Sequence, residues 1–225
     1  MAGERTVHIG FGAGVELAGD LAVPASALGL VLFAHGTGSS RHSRRNQAVA
    51  AALRDRGLAT LLLDLLTKGE EAVDLFSGEL RFDIDLLADR VVTATVWAAE
   101  QAPTRALPVG YFGASTGAAA ALVAAARQPT RVAAVVSRGG RPDLAEPWLA
   151  DVAAPTLLIV GERDETVIEL NQLAYDKLCV ERRLEIVPGA THLFEEPGAL
   201  EHVARLAGDW FTRHLTPPST ERTLR

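Results

Sequence analysis

Cysteine is almost absent from this sequence, with Cys179 the only one in 225 residues. A lone cysteine excludes an intrachain disulfide framework and a cysteine-rich zinc site. Basic charge is also in short supply: 22 Lys and Arg stand against 28 Asp and Glu, for a net charge of −6. Binding to nucleic acid needs a basic face that neutralises phosphates, so no nucleic-acid partner is expected. No stretch reaches the ~18 consecutive apolar residues of a membrane span, and the opening "MAGERTVHIGFGAG" has no apolar core of a secretion signal. The expected setting is the cytoplasm, without a membrane partner. The segment "HLFEE" lacks the second histidine of H-E-x-x-H, so neither a metal nor a cofactor is expected.

The residues that are present suit a folded chain. Hydrophobic residues make up 48% and charged residues 22%, enough for a sizeable core. One domain is expected over 1–215, with "TPPSTERTLR", 216–225, as a loose tail. Two early runs, "TVHIGF" and "VELAGDLAVP", are joined at Gly12-Ala13-Gly14 and predict an antiparallel hairpin. Six short apolar runs follow without alternation: "LGLVLFA", "LATLLLDLL", "PVGYFGA", "VAAVVS", "PTLLIVG" and "RLEIVPG". Continuous apolar runs suit strands buried on both faces, as in a parallel sheet. Between them lie helical patterns. Ile84, Leu87, Val91, Ala94 and Ala98 mark one face of a helix over Phe82–Glu100, and Leu200, Val203, Leu206 and Trp210 mark another near the end. The expected fold is α/β, with a mostly parallel eight-stranded sheet, helices on both faces and no cap domain.

One polar residue interrupts this apolar order. Gly113-Ala114-Ser115-Thr116-Gly117 matches G-x-S-x-G, on the corner between a strand and a helix. A nucleophile on so sharp a turn crowds its neighbours two positions away, and glycine has no side chain to collide. The turn lifts the hydroxyl over the sheet edge, where a helix N-terminus faces developing negative charge. A serine needs a base to take its proton. Among six histidines, His192 follows the last strand on a loop and so falls on the carboxyl edge with Ser115. His35 ends the third strand and is expected to shape the loop after it. His8, His42, His202 and His214 suit solvent or packing roles. Asp164 follows the seventh strand on the same edge and is the expected partner of His192, with Glu162 and Glu165 as competitors. The order Ser115, Asp164, His192 agrees with that of the motif. The amides of Thr116 and Thr37 are the expected oxyanion donors.

Together "AHGTGSS", the serine elbow, "GERD" and "GATHLF" resemble the α/β-hydrolase superfamily over about residues 5 to 215, and its dienelactone hydrolase-like branch above all. The resemblance implies a Ser115–His192–Asp164 triad hydrolysing through an acyl-enzyme. Two departures bear on the substrate. Dienelactone hydrolases carry a cysteine nucleophile and a glutamate after the third strand, whereas here Ser115 stands at the first position and nothing from Gly36 to Arg45 is acidic. A serine carboxylesterase acting on small esters or lactones is the resulting expectation. The stretch Arg141–Ala154 is too short for a lid, which leaves an open site. Its expected walls are Thr37–Ser40 (with Gly38), the segment from Leu65 through Phe76 to Phe82, Trp148 and Phe194. Arg138 or Arg141 would meet an anionic substrate group or pair with Asp143 or Glu146.

Two further readings stay open at this point. Gly36-Thr37-Gly38 after a strand, with Asp64 near the end of the next, resembles part of a dinucleotide site, although Arg41 replaces the third glycine. A hydrolase-like fold that only binds a small ligand is the other.

Overall fold

The computed structural model describes residues 3–12 and 14–216. The tail expected over 216–225 lies outside the described residues beyond Thr216, as does Ala13 of the first turn.

All eight predicted strands form, in one sheet: β1 (Glu4–Gly10), β2 (Glu16–Ala22), β3 (Leu30–Ala34), β4 (Ala59–Leu63), β5 (Val109–Ala114), β6 (Val132–Arg138), β7 (Thr156–Gly161) and β8 (Arg182–Val187). Their order is β1-β2-β4-β3-β5-β6-β7-β8. β2 runs antiparallel to both β1 and β4, and every later pair is parallel. β3, β4, β5 and β7 are buried at every position, which their unbroken apolar runs foretell. β1 alternates exposed and buried residues along its second half, as an edge strand with one wet face does.

Among the described residues six α-helices cover the two faces: α1 (Arg44–Asp55), α2 (Lys68–Ser77), α3 (Ile84–Glu100), α4 (Thr116–Arg127), α5 (Glu165–Lys177) and α6 (Ala199–Leu215). Helix α3 starts two residues later than its apolar pattern suggests. Asp83 stops the preceding 3-10 turn Leu80–Phe82 and accepts from the Leu86 amide at 2.9 Å, so it caps the helix. Helix α4 is buried on all sides from Thr116 to Ala125, and its run of alanines lets it lie close against the sheet and its neighbours. Helices α1 and α6 cover the opposite face, where Val49, Leu53, Val203 and Phe211 meet Phe33, Phe112 and Val136.

The strand order reverses around β3. The chain steps outward from β3 to β4, then returns to place β5 on the other side of β3. Loops after β3 and β5 therefore part in opposite directions and open a crevice at their carboxyl ends. Between β6 and β7 lies only the 3-10 stretch Pro142–Asp151, and among the described residues no lid is inserted there. The longer excursion comes after β4. Helix α2 and the turn Leu80–Phe82 stand beside the crevice.

Candidate active site

Ser115 sits at the exit of β5 with φ 52° and ψ −125°, in the left-handed region that non-glycine residues rarely occupy. The backbone around it leaves no room for other residues. A Cβ on Gly113 would strike the backbone of Ala118, and one on Gly117 would strike the Ala34 carbonyl. A third glycine is required as well: a Cβ on Gly36 would lie 2.7 Å from the Ser115 Cβ. The motif reveals the first two glycines, while Gly36 is explained only once β3 and β5 are known to be neighbours.

Thr37 and Thr116 face each other across this crevice, with their hydroxyls 3.2 Å apart. Among the described residues neither amide bonds another backbone group. His35 holds the loop after β3. It is buried, donates from Nδ1 to the Gly36 carbonyl at 3.0 Å and accepts at Nε2 from the Leu65 amide at 3.0 Å. Burial lowers its pKa, which suits an imidazole used as an acceptor.

The loop after β8, which carries His192, folds back over the sheet edge beside the ends of β7 and β6. A Cβ on Gly161, at the end of β7, would lie 2.5 Å from the Ala190 carbonyl. One on Gly139, just past β6, would lie 3.1 Å from the His192 carbonyl. Phe194 anchors the loop from below. It is 1% exposed and adopts φ 56°. His192 Nδ1 donates to Asp164 Oδ2 at 2.6 Å, which leaves Nε2 as the acceptor. Asp164 occupies the N-cap position of α5 but makes no capping bond, so its carboxylate serves the imidazole. The competing acids are engaged elsewhere or exposed. Glu162 accepts from the Gly189 amide at 2.7 Å, and Glu165 opens α5 on the surface.

A cavity of about 320 Å³ opens beside Thr37 and Thr116, lined also by His35, Gly38, Leu65, Leu66 and Leu87, whereas Ser115, Asp164 and His192 are not among its lining residues. Helix α2 contributes Glu71, Asp74 and Leu75, and Arg81 closes the same side. Arg81 Nε binds Asp74 Oδ2 at 2.7 Å, so those two charges answer each other. Helix α2 is itself held firmly. Glu70 completes a capping box with Thr67 and accepts from Arg90 at 2.6 and 2.8 Å. The Arg90 hydrogen bonds lower the Glu70 pKa to about 2.

Several expected wall residues lie elsewhere. Phe76 and Phe82 are 95% and 54% exposed and line no part of the cavity, which α2 borders with Glu71, Asp74 and the largely exposed Leu75. Trp148 packs under the Arg127 guanidinium, 4.8 Å from its ring centre. Phe194 is core, and Arg138 is buried toward α1. Arg141 pairs with Asp143 at 2.7 and 2.8 Å. The part-dinucleotide resemblance loses its acid, because Asp64 accepts from the Arg41 amide at 2.8 Å and from the Arg41 side chain. Among the described residues no group of three or more His, Cys, Asp or Glu could hold a metal ion, and no helix is long and apolar enough to cross a membrane.

The family model described as "Serine aminopeptidase, S33" matches residues 25–148, more than half of the chain. The chain belongs to this α/β-hydrolase family. The matched span holds Ser115 and Thr37 and ends before Asp164 and His192. A crystal structure of a dienelactone hydrolase from Anabaena variabilis is 57% identical, with a TM-score of 0.92 over 95% of this chain and 99% of that one. Est1E from Butyrivibrio proteoclasticus, 16% identical, shares the fold with a TM-score of 0.78 over 93% of this chain and 98% of its own. A Mycobacterium tuberculosis protein with a provisional phosphoribosyl transferase name is 59% identical over 91% of this chain. The chain spans only 45% of that relative's length, so the relative's name describes a protein about twice as long.

Proposed function

We propose that this hydrolase cleaves small carboxylic esters or lactones through an acyl-enzyme on Ser115. His192 Nε2 takes the hydroxyl proton as Ser115 attacks the carbonyl carbon. Asp164 fixes the imidazole tautomer and stabilises the imidazolium. The amides of Thr116 and Thr37 receive the oxyanion, and the protonated His192 then delivers its proton to the leaving alcohol. Water, activated by the same imidazole, releases the acid. The observation that carries the reading is the strained Ser115 elbow on the same sheet edge as the His192–Asp164 pair. The dienelactone hydrolase name of the 57% identical protein supports an ester or lactone, since a lactone is an internal ester. Hydrolysis of p-nitrophenyl acetate by purified protein, with transient acylation of Ser115 seen by intact-mass spectrometry, tests it. A protein with neither activity nor adduct on a panel of small esters and lactones would be a binding protein instead.

A further inference from the structure

Arg138 ends β6 and is 8% exposed. Its Nη2 reaches Asn46 Oδ1 on α1 at 3.5 Å, the long limit for a hydrogen bond. Its Nε and Nη1 are buried and have no hydrogen-bond partner among the described residues. Arg45, beside it on α1, also buries an unpartnered Nε, while its Nη1 bonds the exposed Glu195 at 2.9 Å. No carboxylate pairs with Arg138 among the described residues. Burial, and then the like charge of Arg45, pull the Arg138 guanidinium down to about 10. It is still charged at neutral pH.

A buried cation with two idle nitrogens and a second cation beside it is costly, and unpaired charges are rarely kept inside proteins. Beyond the Asn46 Oδ1 that meets Arg138 and the Glu195 carboxylate that meets Arg45, the groups left unpartnered here are donors: Arg138 Nε and Nη1 and Arg45 Nε. Such a set is complementary to an oxyanion, to which guanidinium groups give strong charge-assisted hydrogen bonds.

We propose that Arg138, Arg45 and Asn46 form a binding site for a small oxyanion, a carboxylate or an inorganic phosphate. The site lies between the end of β6, the first turn of α1 and the loop that carries His192 and Glu195. Neither arginine lines the 320 Å³ cavity, so the site is separate from that cavity and does not depend on the esterase reading. It still touches the elbow through the backbone, because the Arg138 carbonyl accepts from the Ser115 amide at 3.4 Å.

The test uses the full chain, with calorimetric titration and thermal unfolding in sodium phosphate or sodium acetate against sodium chloride at matched ionic strength. At least one oxyanion should bind saturably and raise Tm above the chloride control. Arg45→Gln should keep the chloride Tm and weaken that oxyanion by about tenfold or more, and Arg138→Gln should abolish binding. Phosphate alone would name a tetrahedral ligand. Acetate, alone or with phosphate, would name a carboxylate. If Arg138→Gln fails to fold, Arg45→Gln decides. Equal behaviour in oxyanion and chloride, or undiminished binding by Arg45→Gln, overturns the proposal.

Discussion

Ser115 concentrates cost at one residue: a positive φ without glycine, enclosed by Gly36, Gly113 and Gly117. Such strain persists only where the surroundings enforce it, and here it displays a hydroxyl. Ser115→Ala should fold as the wild type does and lose esterase turnover by roughly 10⁶, as nucleophile losses in serine hydrolases do. Intact turnover in a preparation free of contaminating esterase would end the mechanism. At Asp164 the contrast is with its neighbours. Asp164→Asn should cut kcat by about 10⁴, while Glu162→Gln and Glu165→Gln should leave it near wild type. His35 gives a pH signature of its own. Burial lowers its pKa from 6.5 in the folded chain, so below pH 6.5 the unfolded chain takes up a proton that the folded chain resists. Stability from this group is complete above that pH and is lost as pH falls toward the lowered value. His214, also lowered by burial, adds with the same sign. His35→Gln keeps an acceptor for the Leu65 amide without titrating there. Its urea unfolding free energy should therefore fall less between pH 7.5 and pH 5 than that of the wild type, and equal slopes would remove His35 as the cause.

At the scale of elements, the strands were legible because their apolar runs are short, unbroken and separated by helical periods. The elbow was legible because it is local: five consecutive residues carry the whole steric argument. The His192 loop was legible only as an address on the carboxyl edge. Its path over β7 and β6 depends on Gly161 and Gly139, and those glycines have no visible purpose until strand order brings the loop across them. The cavity wall was legible in part. The segment after β4 does form it, but the rotation of α2 selects Glu71, Asp74 and Leu75 and leaves Phe76 in solvent. The Glu70–Arg90 contact that ties α2 to α3 is likewise one that no local pattern announces. Two expectations follow at this scale. Gly161→Ala should push the Ala190 carbonyl away, lowering kcat by moving His192 and costing about 1–3 kcal/mol of stability. Glu70→Gln should loosen α2 and raise KM more than it lowers kcat. A change confined to kcat would mean that α2 positions the chemistry rather than the substrate.

Across the whole molecule, the proposed site lies where the sheet reverses its strand order, and the elements around that place bear on the size of substrate the proposal allows. The loop after β3 floors the crevice with Gly36 to Ser40, α2 and Arg81 wall one side, and α4 begins at its base. The resulting 320 Å³ is at the low end of small-molecule sites. No lid lies between β6 and β7 among the described residues to extend it. The outer face of α2 offers Val73 and Phe76 to water rather than a channel. An acyl chain longer than the cavity must therefore run into solvent, and each CH₂ left there forgoes about 0.8 kcal/mol of binding. Values of kcat/KM across p-nitrophenyl acetate, butyrate, octanoate and palmitate should be highest for the first two and fall thereafter, with no jump when substrate passes into micelles. A value rising steadily to palmitate would require an acyl tunnel that α2 uncovers by moving. Glu70→Gln then separates the alternatives. If α2 is a fixed wall, loosening it should broaden acceptance toward octanoate, whereas a chain already using a mobile α2 should be indifferent to the substitution.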